Sequence, residues 1–444
     1  MSFIERSAAF PAAGEPAWPL CAVPVWRGGH PCALPPAAED WWHPQAHLAL
    51  DFKSGRFMRG GVERAENAVF AVTRSSPINL PDDGGVFQAL GNNSLPRTDR
   101  GLYANGQFTN KIAANNLAPG LVTPVGVTAF NALGLTGVSA GHGGGASTGL
   151  FGIVDDAAAL AAAGLANISN GRAYSISLGG AVGSAFMIFG PQVGNTNPHS
   201  WGMWARCTGA NATLRVVGSA SYGQVVMEPS ANYQFVKFEN FTPDATAQFR
   251  PQIPFGGTLL IAGVQLLESR FIPDARMATP GSPALLASDI PLVQGVRPSN
   301  GQQEPWSGWE AAGFDAAVRL LANVMIDRLS ANSPRFIAGA GVDAGNLWRL
   351  IFDTDNRFKF IARKSGSDVL TLQTGVASST GLYTVDARAK PGDYALTATG
   401  LSSATSASAE TLPSGATTLR VGSNFALANL FNGWIEDLQI LRAA

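Results

Sequence analysis

Along most of the chain, apolar and polar residues alternate with period two in short runs separated by turn residues, the pattern of half-buried strands. Leu48–Phe52 and Asn67–Thr73 read this way, and Asp82-Asp-Gly-Gly85 before Val86-Phe87 reads as a turn. Through residues 170–270 the runs Tyr174–Leu178, Ala212–Val217, Tyr233–Phe238 and Leu259–Leu266 follow one another. Turn residues break them every eight to twelve positions or so, the rhythm of a sandwich. In the last third, Leu347–Phe352 and Arg357–Ile361 flank Asp353-Thr-Asp-Asn356 as a hairpin. Tyr383–Ala387, Tyr394–Ala398, Thr418–Val421 and Trp434–Leu441 continue the series. Val318–Leu329 fits either period, and its β context favours a strand pair. The clearest helix signal is Asp155-Asp156 followed by Ala157–Ala163, an acidic cap before an alanine run. The fold class that follows is all-β: two consecutive β-sandwiches of the jelly-roll kind, preceded by an irregular Trp- and Pro-rich arm.

The changes of texture divide the chain. Residues 1–45 hold Trp18, Trp26, Trp41 and Trp42, more indole than so short a segment can bury within itself, so they are expected to attach the arm to another surface. Residues 46–115 read as a strand-rich connecting segment and 116–285 as the first jelly roll. The break at Ala278-Thr-Pro-Gly-Ser-Pro283 and the polar stretch after it make 286–305 a linker, leaving 306–444 as the second sandwich.

Composition narrows the function. Of 444 residues 14% are charged and 46% hydrophobic, which excludes a disordered chain or a solvated coiled coil. The formal net charge of −1, with no basic block, speaks against nucleic-acid binding. The sequence holds no run of about 18 apolar residues that would insert in a membrane as a helix. The start Met1–Phe10 lacks the basic and apolar regions of a signal peptide, so synthesis in a bacterial cytoplasm without a leader is expected. Cys21, Cys32 and Cys207 form no disulfide framework and no zinc spacing.

Three groups of residues, taken in order, resemble segments of phage virion proteins. The first is Leu50-Asp-Phe52, Phe70-Ala-Val-Thr-Arg-Ser-Ser76, Asp82–Phe87, Leu95-Pro-Arg97 and Gly101-Leu102. The second is Gly263–Ser269 with Phe271-Ile-Pro273 and Ala278–Gly281, which looks like the last strand and exit of a jelly roll similar to carbohydrate-binding modules. The third is Leu419–Gly422 and Phe431–Ile440, which looks like the end of a laminin-G or concanavalin A-like domain. Together they resemble tail-fibre, spike or head-fibre proteins of a tailed phage or a gene transfer agent. The sequence departs from that pattern at Gln107–Asn110, where a Glu-Ala-Arg-Thr-Asn stretch is usual. The resemblance implies a non-enzymatic structural protein of a virion that adsorbs to host surface polysaccharide. It further implies other virion proteins as partners through the arm, and a homo-oligomer, often a trimer. A plain spacer and a polysaccharide depolymerase are the alternatives.

Candidate chemistry is sparse. Gly137-Val-Ser-Ala-Gly141 matches a nucleophile elbow in letters, but its flanks offer no helix. Asp353 and Asp355, with Asp343 and Asn346 nearby, supply hard oxygens of the kind calcium takes, and also suit a plain turn. Sugar binding needs aromatic faces, for which Trp201, Trp204, Tyr222, Trp306, Trp309 and Trp348 are the candidates, each of which could equally pack a core. Trp201 and Trp204, three apart, belong on opposite faces of a strand, so at most one of them enters the core.

Overall fold

The computed structural model describes residues 41–442 apart from internal stretches, chiefly 104–107, 111–121, 126–137, 190–197, 268–276, 294–316 and 425–430. Gln45–Ala444 form one body. Almost every described element is a strand, and the strands build two β-sandwiches whose chain segments are nested.

The outer sandwich draws on both ends of the body. Its larger sheet runs in the order Val62–Arg64, Arg56–Arg59, Ala46–Asp51, Trp434–Arg442, Val318–Ile326, Gly381–Lys390, Asp393–Ala398 and Ala404–Ser406. Ala46–Asp51 pairs along Trp434–Arg442, with Leu48 opposite Ile440 and Leu50 opposite Leu438. The facing sheet runs from Ser367–Gln373 through Phe358–Lys364, Asn346–Phe352, Arg335–Asp343 and Thr418–Val421 to Ile290–Val293 and Phe70–Thr73. Four strands within 46–73 and the strand Ile290–Val293 therefore belong to this sandwich, where the sequence pattern suggested a connecting segment and a linker. The reason is that alternation marks a strand without naming its partner. Of the strand expected over Asn67–Thr73 only Phe70–Thr73 is extended, Glu66–Val69 being a helical turn. Leu48, Leu50 and Phe52 are buried in the same core as Leu438 and Ile440, and this apolar burial holds the distant segments together. Val318–Ile326 is one nine-residue strand rather than a pair: every second residue from Val318 to Ile326 is buried, and it hydrogen-bonds to a neighbour on each side.

The inserted sandwich lies between these segments in the chain. One sheet has the order Val122–Val125, Thr148–Asp155, Arg172–Gly179, Thr258–Leu267, His199–Thr208, Gln234–Phe241; the other has the order Val138–Gly143, Ser184–Phe189, Gln248–Pro254, Ala212–Val217, Ser221–Met227. Their inner faces share a core that includes Tyr174, Phe189, Trp201, Met203, Leu214 and Phe249. The helix expected after Asp155-Asp156 forms at Ala157–Ala162. Its capping differs from the expectation, because Asp155 Oδ1 accepts the Ala157 N–H at 2.9 Å while Asp156 turns to Arg206.

A hairpin, Ile78–Pro81 and Phe87–Leu90, sits between the two sandwiches. Ile78 and Leu80 pack with Tyr103 and Trp434 of the outer one, and Phe87 packs with Leu160, Leu165 and Trp204 of the inserted one. The Phe87 N–H donates to Gly164 O at 2.7 Å. Gly164 has φ +76°, and a Cβ there would lie 2.4 Å from Gly85 O. Both the left-handed backbone and the close approach require glycine. Gly164→Ala is expected to destabilise the protein by about 2 kcal/mol, since an αL conformation costs a non-glycine residue about 1–3 kcal/mol before any clash. Urea denaturation checks this, and an unchanged midpoint would show that the hairpin does not bear on that loop.

Candidate functional site

Most of the aromatic residues offered as sugar platforms are structural. Trp201 is 1% exposed and lies between the sheets of the inserted sandwich, 5.3 Å from Phe249. Trp348 is also 1% exposed and stacks on Phe360 in the core of the outer sandwich. Neither indole can present a face to a sugar. Trp204 does lie on the opposite face of the strand from Trp201, as the spacing requires, but Phe87 and Phe235 cover it at 6.0 and 5.1 Å. Trp306 and Trp309 lie outside the described residues, as do Trp18 and Trp26 of the arm. Trp41 and Trp42, ahead of the body, meet edge to face at 5.2 Å.

Tyr222 is half-buried and serves a carboxylate. Its hydroxyl donates to Asp244 Oδ2 at 2.9 Å, and Asp244 also accepts from the backbone and hydroxyls of Ser219 and Thr246. The Ser219 and Thr246 hydroxyls, helped by their N–H groups, hold the Asp244 carboxyl well below the usual range against the upward push of desolvation. A depressed folded pKa contributes stability that is complete above the unfolded value of about 3.9 and lost as pH falls through the folded one. The stability gap between wild type and Asp244→Asn is therefore expected to be constant above about pH 4 and to close on further acidification. Denaturant melts at several pH values measure it, and a gap that widens in acid would contradict the assignment.

The acidic pair offered for calcium is bridged by a lysine. Lys359 Nζ lies 2.7 Å from Asp353 Oδ2 and 2.9 Å from Asp355 Oδ2, so an ammonium stands between the two carboxylates. Burial pushes the Asp353 carboxyl up, but Lys359 and the Thr354 N–H outweigh it and hold the carboxyl below its ordinary value. Asp343 Oδ1 is engaged by the N–H groups of Gly345 and Asn346 in its own turn. Ser139 of the elbow-like pattern lies within the strand Val138–Gly143, which pairs with Ser184–Phe189. An elbow needs a sharp strand-to-helix turn at the serine, and this serine is the second residue of a six-residue strand that runs on past it.

The face best equipped to bind a ligand was not singled out by the sequence. On the outside of the five-stranded sheet, two neighbouring rows of side chains run across the strands. Phe186, Gln252 and Thr213 form one row; Arg250, Arg215 and Gln224 form the next. Arg215 Nη2 donates to Gln252 Oε1 at 3.0 Å, and Gln252 Nε2 donates to Ser184 Oγ at 2.7 Å. The Arg250 guanidinium lies over the Phe186 ring, 3.6 Å from its centroid. The ring in turn lies over Gly141, where a Cβ would come within 2.8 Å of it. The inward alternates on the same strands, Leu214, Val216, Phe249 and Ile253, are fully buried, so the backbone beneath the polar rows is fixed by the core. The residues of these rows are half-buried or exposed. The available signal was the period-two spacing of Thr213, Arg215 and Val217 and of Gln248, Arg250 and Gln252, which sets each trio on one face.

The outer sandwich offers a second concavity, a cleft of about 660 Å³ walled by Val342, Asn346, Lys364, Thr411 and Pro413. Its cation is engaged, with Lys364 2.7 Å from Thr411 Oγ1 and 3.5 Å from Glu410. It contains no aromatic ring among these lining residues.

No protein-family model matches the chain, and no curated protein matches it. Among solved structures, the chain is similar to the CBM40 domain of a Ruminococcus gnavus IT-sialidase, solved bound to α2,3 sialyllactose, at 19% identity over 30% of this chain and 80% of that one, with a TM-score of 0.26. It is also similar to domains LG4-5 of the mouse laminin α1 chain, at 11% identity over 56% and 82%, TM-score 0.21. The CBM22-1–CBM22-2 tandem of Paenibacillus barcinonensis Xyn10C matches at 8% identity over 73% and 98%, TM-score 0.22.

Proposed function

We propose that the chain is a glycan-binding structural protein of a phage-like particle, working by adsorption to host surface polysaccharide and without catalysis. The observation that carries the binding is the outer face of the five-stranded sheet. There, planar hydrogen-bonding side chains stand side by side, one guanidinium stacked on an aromatic ring, on a backbone held rigid from below. Guanidinium and carboxamide groups match the paired hydroxyls of a sugar, and fixed side chains lose little entropy on binding. The CBM40 neighbour, bound to sialyllactose, is in keeping with this reading. The particle context comes from the sequence resemblance, with the arm of Trp18, Trp26, Trp41 and Trp42 as the attachment to other virion proteins. Several copies, three in a homotrimer, would raise a weak single-site affinity through avidity.

The test is to incubate purified protein with capsular polysaccharide of the host and follow, in one chromatography run, retention on the polymer and the length of its chains. Retention without shortening is expected. Shortening would replace adsorption by depolymerisation, and absence of both would leave a spacer.

A further inference from the structure

The outer face of the five-stranded sheet carries two cations that no anion among the described residues matches. Arg215 and Arg250 face one another across neighbouring strands, an arrangement that is destabilising for like charges. Neither guanidinium has an ion pair among the described residues; their partners are the neutral Gln252 and the Phe186 ring. The Nε–H of each is buried and without an acceptor. Such a group costs free energy that a threonine or valine on the same strand would not. Burial, and then the charge of Arg215, push the Arg250 guanidinium down from its ordinary value, the direction expected where a counter-ion is missing. What holds the two forks is neutral, and what they lack is an oxyanion.

We propose that this face selects acidic glycans, with the anionic group of a sugar, carboxylate or sulfate ester, received between Arg215 and Arg250 and its hydroxyls by Gln252 and Gln224. The inference rests on the glycan-binding reading above and specifies its substrate class. A planar guanidinium presents two parallel N–H donors to an oxyanion, a geometry that lysine cannot offer. The flanking Gln252–Ser184 hydrogen bond keeps the Arg215 fork from swinging away when the face is empty.

The experiment prints neutral, carboxylated and sulfated glycans on one array and applies the full chain, alongside the variant R215Q/R250Q. Carboxylated or sulfated members are expected to bind at least tenfold more tightly than their neutral counterparts, and the comparison between them tells which oxyanion is preferred. The double variant is expected to lose that preference, and added salt to weaken it. As a measurement that needs no variant, reducing the sugar carboxyl of a bound member to the alcohol is expected to cost at least tenfold. Equal binding of neutral members would overturn the acidic selectivity and leave glycan binding standing. Binding to no member would remove the glycan reading itself. A folded double variant that binds like wild type would overturn the assignment to this face.

Discussion

Trp348→Ala is expected to remove about 4 kcal/mol of stability, the usual cost of deleting a large buried aromatic side chain. The indole is fully enclosed in the outer sandwich and stacks at 19° on Phe360 with ring centroids 6.0 Å apart. The small side chains of Ala340 and Ala362 stand opposite it on the flanking strands, and they cannot expand to fill the gap. A loss of that size is a large part of a typical folding free energy. Urea denaturation followed by far-ultraviolet circular dichroism measures it. The same variant, studied below its transition, is expected to bind glycan as the wild type does, because the inserted sandwich has a separate core. Lost glycan binding with unchanged stability would return Trp348 to a binding surface.

Arg206→Met is expected to cost about 3 kcal/mol, because it strands a carboxylate that is mostly buried. Arg206 meets Asp156 through two bonds, Nε to Oδ2 at 2.9 Å and Nη2 to Oδ1 at 2.6 Å, with side-chain exposures of 17% and 11%. The Tyr233 hydroxyl donates to the same Oδ2 at 2.6 Å, so removing the arginine leaves the anion with a single side-chain donor of the trio. The Asp156 hydrogen bond raises the Arg206 pKa, and burial followed by Asp156 pushes the Tyr233 hydroxyl up as well, so both donors keep their protons through the neutral range. Arg206→Met with Asp156→Asn is expected to regain much of the loss, since the neutral carboxamide removes the stranded charge and still accepts the Tyr233 hydroxyl. Thermal and urea melts of the two variants decide this. A double variant as unstable as the single one would show that the pair, rather than the stranded charge, supplies the stability.

The alternation of apolar residues was enough to place strands such as Ala212–Val217 and Thr258–Leu267 and to make the fold all-β. It also separated Trp201 from Trp204 onto opposite faces. It could not say which of the two entered the core, because that depends on whether the second face is covered, here by Phe87 from a hairpin more than a hundred residues away. For the same reason the nested order of the sandwiches was hidden: Leu48 and Leu50 announce a buried face, and their partners Ile440 and Leu438 lie at the far end of the chain. The face proposed to bind glycan was missed because Arg215 and Arg250, read singly, are ordinary solvent-side residues of two strands. Only the pairing of those strands, which no local pattern encodes, makes them neighbours. The turn at Asp353–Asn356 was legible; the lysine that bridges its two aspartates lies just beyond it in the following strand.

The pairing of Ala46–Asp51 with Trp434–Arg442 also sets a timetable for synthesis. A domain emerging from the ribosome can fold only when all of its segments are out, and the strands of the inserted sandwich, the last of them Ala284–Leu286, are out long before Trp434–Arg442. The outer sandwich must wait for its last strand, so Ala46–Asp51, paired early with Arg56–Arg59 on one side, keeps its other edge open while most of the chain is made. Closing a loop of this span is slow. In the nascent protein the inserted sandwich thus precedes the one that encloses its sequence, and Ala46–Asp51 is the strand that waits longest for its second partner.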